Sequence, residues 1–129
     1  GITNIKTKVW DATVVDESAF EKYDVLIADL PCSGLGIIGR KPDIRYNTSP
    51  EAVSSLSMLQ RQILSTIAAY VKPGGVLIYS TCTVSRAENE NNVTWFTENF
   101  PFSLMGDTLQ IKPGDLGNDG FFIARMIKQ

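Results

Sequence analysis

The sequence predicts an α/β fold in which parallel strands are joined by helical crossovers and followed by a C-terminal antiparallel strand pair. Three observations predict it. The runs 24–30 and 76–81 hold Val, Leu and Ile with little polar alternation, as strands covered on both faces do. Between them Val53, Leu56, Leu59, Ile63, Ile67 and Tyr70 recur at steps of three or four, which places them on one face of a helix. After them two short apolar stretches, 102–111 and 120–127, flank the turn-rich Lys112-Pro113-Gly114-Asp115 and Gly117-Asn118-Asp119-Gly120.

Residues 5–13 read as a first strand, followed by a short helical or irregular piece through Ser18, Phe20 and Tyr23. The run 24–30 ends at Pro31. The connection 31–49, with Gly34, Gly36, Gly39 and Pro42, is longer than most and is therefore functional or mobile. Thr48-Ser49-Pro50-Glu51 starts the long helix, because a hydroxyl can accept the free backbone N–H groups and a carboxylate suits the positive helix end. That helix runs to about Lys72, where Pro73-Gly74-Gly75 stops it, and 76–81 is the second buried strand. Ser85 with Glu88 has the spacing of a capping box, and Val93, Phe96 and Phe100 line one face of the next helix. The last two stretches form the antiparallel pair, with Asp119-Gly120-Phe121-Phe122 as a hairpin start.

Composition narrows the chemistry. With 129 residues, 43% of them hydrophobic and 20% charged, and with no repeat or low-complexity linker, the chain reads as one ordinary soluble domain. It contains no histidine, which removes Ser-His-Asp and Cys-His nucleophile pairs and every histidine metal site. Its two cysteines, Cys32 and Cys82, are too few for a structural zinc site or a disulfide-dense scaffold, so no metal is expected and a reducing, cytoplasmic location is the default. No apolar run is long enough for a membrane span. A net charge of -2 gives no global attraction to a polyanion, so any such partner is held locally or by another domain. The start at Gly1-Ile2-Thr3, without methionine, reads as that of a piece of a longer protein.

In parallel sheets of this kind ligands sit at the carboxyl ends of the strands. Those ends are Asp11, 29–33 and 80–83, and both cysteines fall among them. Two thiols and a carboxylate therefore converge on one cleft. A free thiol has a pKa of about 8.5, so a nucleophilic role needs a site that favours the thiolate. The competing structural reading is two ordinary buried cysteines. Arg40, Lys41 and Arg45, with Tyr46, offer positive charge and a stacking face beside Cys32, suited to a phosphate backbone and a base; since Asp43 offsets part of that charge, a solvated loop is the alternative.

The motifs DLPCSGLG at 29–36, YSTCT at 79–83 and ENE at 88–90 also carry a family resemblance, extended by RKPDIRYN, VKPGG and DGFFIAR. The chain resembles the C-terminal part of the RNA 5-methylcytosine methyltransferases, most closely the bacterial Sun/Fmu type that acts on small-subunit ribosomal RNA. The resemblance implies a partial Rossmann-like class I methyltransferase fold, S-adenosylmethionine as cofactor and RNA as substrate. It implies that Cys82 is the thiolate that adds to cytosine C6, making C5 nucleophilic, and that Cys32 assists release of the methylated base. It further implies that Asp29 bonds the cytosine edge near the methyl-bearing end of the cofactor, and that Asp11 accepts from the adenine amino group. From position alone, Asp11 is equally a solvated turn residue.

Two other readings compete. One is an amino-methyltransferase of the Asp/Asn-Pro-Pro-Tyr type, which uses no thiol and so leaves Cys82 unexplained. The other is a non-catalytic interaction module with structural thiols. A thiol-disulfide pair lacks the Cys-x-x-Cys spacing.

The chain departs from the family pattern upstream. The glycine-rich cofactor loop, the acidic residue for the ribose and the N-terminal RNA-binding region are not found, and residues 5–13 match the third strand of the family's sheet. The edge of 24–30 then has unpaired backbone groups, which either 5–13 or a second copy of the chain is expected to cover. The segment alone is expected to be inactive and to bind S-adenosylmethionine weakly or not at all. Calorimetric titration with the cofactor checks this, and micromolar binding contradicts it.

Overall fold

The computed structural model describes residues 1–129, the Leu116 side chain excepted. Its strands are β1 (Tyr23–Asp29), β2 (Val71–Thr81), β3 (Phe102–Leu104), β4 (Leu109–Ile111) and β5 (Phe121–Lys128), and its helices are α1 (Ile44–Asn47), α2 (Pro50–Ile67) and α3 (Glu90–Asn99). The strands form one sheet in the order β1-β2-β5-β3, with β4 also against β5. β1 and β2 run parallel, in register from Val25↔Val76 to Asp29↔Ser80. β5 returns antiparallel to β2, with Thr81 opposite Phe122, and its other edge takes β3 and β4. The mixed α/β sheet and the antiparallel terminus are those predicted from the apolar runs.

The core lies where the α2 and α3 faces meet the central strands. Leu64, Leu77, Tyr79, Phe96, Phe122 and Met126 are completely buried. Each such large apolar side chain stabilises the fold by roughly 1.5–3 kcal/mol relative to exposure. α2 begins as its sequence requires, with Pro50 in its first turn and Ser49 Oγ accepting from Ala52 N (3.1 Å). Its buried residues, however, are Ser57, Gln60, Ile63, Leu64, Thr66 and Ile67, so three polar side chains lie among the core-facing positions.

Four expectations are corrected. Residues 5–13 form no strand, and Ile5, Val9 and Trp10 are exposed. In the doubly wound strand order 3-2-1-4-5-6 two strands separate the third from the fourth, so residues 5–13 lack the strand they would pair with and leave the edge of β1 uncovered. β1 is accordingly an edge strand and is not covered on both faces, with Val25 57% and Ile27 68% exposed. The long helix stops at Ile67 and passes through a 3-10 turn, Ala68–Tyr70, into β2. Pro73-Gly74-Gly75 therefore lies inside β2, where the register breaks between Tyr23↔Val71 and Val25↔Val76. It acts as a bulge, with Gly74 at φ +76°, a value glycine adopts without strain. Finally, Ser85 and Glu88 make no capping box: α3 starts at Glu90, and the Glu88 carboxylate turns inward to Ser33 and Gln60.

The long connection is pinned to the sheet by backbone. Gly36 N donates to Cys82 O (3.0 Å), and Gly36 O accepts from Gly120 N (2.7 Å). A Cβ on Gly36 would lie 2.4 Å from Gly120 O and 2.7 Å from Cys82 O, both backbone atoms that cannot step aside. Gly36→Ala is expected to cost about 1–3 kcal/mol of stability through this overpacking. A urea unfolding midpoint equal to that of the unaltered chain would contradict the stated contact.

Candidate active site

β1 and β2 deliver their carboxyl ends side by side, and Leu30 N extends the ladder by one bond to Ser80 O (3.1 Å). Beyond it the two chains turn apart over the sheet edge. Cys32 and Cys82 face each other there, half-buried, with their Sγ atoms 3.2 Å apart. That separation exceeds a disulfide bond of about 2.05 Å and fits an S–H···S contact. The following residues repeat the pairing, with Ser33 Oγ 2.8 Å from Thr83 Oγ1. The loops carrying the two thiols are thus joined at two successive positions.

Burial and the neighbouring Cys82 sulfur push the Cys32 thiol up to about 12. At neutral pH Cys32 is therefore a thiol, with a proton it can donate toward Cys82. The strand ends also place Asp29, which is exposed and accepts from Ser80 Oγ (2.9 Å). One carboxylate and two sulfurs, the convergence expected from the strand ends, stand at one sheet edge.

Behind this edge lies a buried polar cluster. The Glu88 carboxylate is fully buried and accepts from Ser33 N (2.8 Å), Ser33 Oγ (2.5 Å) and Gln60 Nε2 (3.1 Å). Gln60 Nε2 also donates to Pro31 O (2.8 Å), while Gln60 Oε1 accepts from Asn92 Nδ2 (2.7 Å). Asn89 accepts from Thr81 Oγ1 (2.6 Å) and donates to Thr83 O (3.0 Å) and Gln110 Oε1 (3.0 Å). The Tyr79 hydroxyl donates to the Glu88 carbonyl, and burial holds this phenol well above its usual range, so it remains a donor. Local sequence patterns mark ENE as a motif and assign no role to Glu88, Asn89 or Gln60. The available signal was Gln60 interrupting an apolar helical stripe.

Asp11 stands apart from the thiols. It is exposed and closes a local turn, accepting from Thr13 N (2.9 Å) and Thr13 Oγ1 (2.7 Å), bonds that hold its carboxyl below the usual range. Trp10, Asp11 and Val14 line a hollow of about 240 Å³. Of the basic residues, Arg40 pairs with Asp119 (2.9 Å), whereas Lys41, Arg45 and Tyr46 are exposed, and no ion pair engages Lys41 or Arg45 among the described residues. Among the described residues no cluster could hold a metal ion, and no helix is long and apolar enough to cross a membrane.

Fold and site together define a Rossmann-like α/β module that carries two thiols and a carboxylate at the carboxyl ends of parallel strands. The chain belongs to the family described as 16S rRNA methyltransferase RsmB/F, whose family model matches residues 1–127. It is 38% identical, over all of its length and 33% of the relative's, to Probable ribosomal RNA small subunit methyltransferase B of Bacillus subtilis. It is 33% identical, over 99% of its length and 30% of the relative's, to ribosomal RNA small subunit methyltransferase F of Escherichia coli. The crystal structure of PH0851 superposes with a TM-score of 0.92 at 33% identity, covering all of this chain and 32% of that one. The chain thus spans about a third of the length of the curated relatives it matches.

The thiol geometry has a measurable consequence. Iodoacetamide labelling of the chain, read by peptide mass mapping, is expected to modify Cys32 at pH 8 at least about a hundredfold more slowly than an unhindered thiol. The Cys32 rate should still be climbing at pH 10. A plateau near the ordinary value of about 9 would contradict the raised pKa.

Proposed function

We propose that this segment is the C-terminal, thiol-bearing part of an S-adenosylmethionine-dependent domain that methylates cytosine C5 in RNA, with small-subunit ribosomal RNA as the substrate class. The observation that carries this reading is the 3.2 Å approach of Cys32 and Cys82 beside Asp29 at the carboxyl edge of two parallel strands. Membership of a ribosomal RNA methyltransferase family supports the reaction class.

S-adenosylmethionine supplies an electrophilic methyl group when bound. The hollow beside Asp11 suits its adenine, since Trp10 and Val14 offer apolar surface and the carboxylate an acceptor for the exocyclic amino group. Cys82 Sγ, as thiolate, forms a bond to cytosine C6, and the displaced electron pair makes C5 the nucleophile that takes the methyl. Asp29 accepts from the amino group on the exposed cytosine edge and so orients the base for attack. After transfer the C5 proton passes to solvent, the C6–S bond breaks, and its electron pair returns to Cys82 Sγ. Cys32 keeps its proton and donates to that sulfur, which stabilises the departing thiolate. Lys41 and Arg45 are placed for RNA phosphates, and Arg40 takes part only if its pair with Asp119 opens.

The amino-methyltransferase reading gives the thiol pair nothing to do. In the full-length protein carrying this segment, Cys82→Ala is expected to abolish methyl transfer to RNA. Cys32→Ala is expected to accumulate a covalent RNA adduct that survives a denaturing gel, because addition continues while release stalls. Normal activity of the Cys82→Ala protein would overturn the mechanism.

A further inference from the structure

Glu88 and Asn89 are consecutive and completely buried, and the thiols hydrogen-bond each other and neither of these side chains. Each instead bonds the residues flanking one cysteine. Glu88 takes the backbone N–H and hydroxyl of Ser33, immediately after Cys32. On the other side it holds Gln60, whose amide donates to the carbonyl of Pro31, immediately before Cys32. Asn89 does the same around Cys82, accepting from the Thr81 hydroxyl before it and donating to the Thr83 carbonyl after it. The two halves are joined by the Ser33–Thr83 hydroxyl contact. Ser33 Oγ gives its single proton to Glu88, so Thr83 Oγ1, which accepts from Ser85 N (3.2 Å), donates to Ser33 Oγ.

A buried carboxylate with no Lys or Arg partner among the described residues is an expensive element to keep in a small core. Here three donors bond its two oxygens, and the groups it orders are the two neighbours of Cys32. We propose that Glu88 and Asn89 are a pair of positioning residues, Glu88 setting Cys32 and Asn89 setting Cys82, so that one two-residue turn fixes the distance between the thiols. The inference rests on the reading that Cys82 adds to cytosine and Cys32 serves release. Reaction geometry tolerates little displacement, and an error of about 1 Å commonly costs a hundredfold in rate.

The assignment makes neighbouring residues behave oppositely, which a merely structural role does not. In the full-length protein, Glu88→Gln replaces one acceptor by a donor facing the Ser33 donors and displaces the Cys32 loop. Turnover on RNA is expected to fall about tenfold to a hundredfold while the fraction of RNA held as denaturation-resistant adduct rises, the behaviour of Cys32→Ala with Cys32 still present. Ser33→Ala, which keeps the backbone bond, should shift both quantities in the same direction by less, and it serves if Glu88→Gln does not fold. Asn89→Ala, or the nearly isosteric Thr81→Val, should instead lower adduct and turnover together, because addition itself is slowed. Thermal unfolding is measured on each variant. Unchanged turnover in Glu88→Gln and Ser33→Ala, or adduct falling in all four variants in step with melting temperature, would overturn the positioning roles. Cys82→Ala assayed in parallel separates the two levels: retained methyl transfer there sinks the underlying mechanism, whereas its loss, combined with parallel behaviour of the four variants, sinks only the positioning.

Discussion

The parallel pairing of β1 with β2, in register from Val25↔Val76 to Asp29↔Ser80, is the constraint on which the rest of this molecule depends. Two strands that run the same way must end at the same edge, so the residues that follow them leave the sheet together. Asp29, Cys32, Cys82 and Thr83 are neighbours for that reason. A one-residue slip would turn every side chain of one strand to the other face and take Asp29 away from the Ser80 hydroxyl. The crossover through α2, required between parallel strands, brings Gln60 beneath the same edge.

The second level of order is polar. Glu88, Asn89, Asn92, Gln60, Thr81 and Thr83 are buried, and among the described residues Glu90 Oε2 is the buried side-chain polar atom that finds no partner. Unmade hydrogen bonds at such depth cost about 1–3 kcal/mol each, so a cluster of this size is tolerable only when nearly complete. Completeness gives it directionality that an apolar core lacks: side chains that merely fill space accept several arrangements, whereas donors and acceptors accept few. The backbone contacts of Gly36 with Cys82 and Gly120 add a steric lock on the same loop.

The opposite side of the sheet is open. β1 presents Val25 and Ile27 to solvent, and Val9, Trp10, Val14 and Val15 are exposed in the segment before it. Of these, Trp10 and Val14 line the hollow at Asp11, so the cofactor end of the proposed site is open while the thiol end is held by the buried polar cluster. The division matches the chemistry proposed for each: a thiol pair needs sub-ångström placement, whereas an adenine ring needs apolar cover and one acceptor.

Local patterns in the chain were sufficient for β1, β2, α2, α3 and the antiparallel terminus, because burial on one or two faces leaves a period of its own in the sequence. They also placed Asp29, Cys32 and Cys82 at strand ends. They misjudged 5–13, whose strand-like composition has no neighbouring strand to pair with, and Pro73-Gly74-Gly75, whose helix-ending character is overridden by pairing with β1. Glu88 shows the limit most plainly. Its spacing from Ser85 is that of a cap, but Ser33, 55 residues away, and Gln60, 28 residues away, offer three donors inside the core. Strands and helices are written in neighbouring residues, whereas the partner of a buried polar group is chosen by whatever the folded chain brings within 3 Å of it, and no local period records that choice.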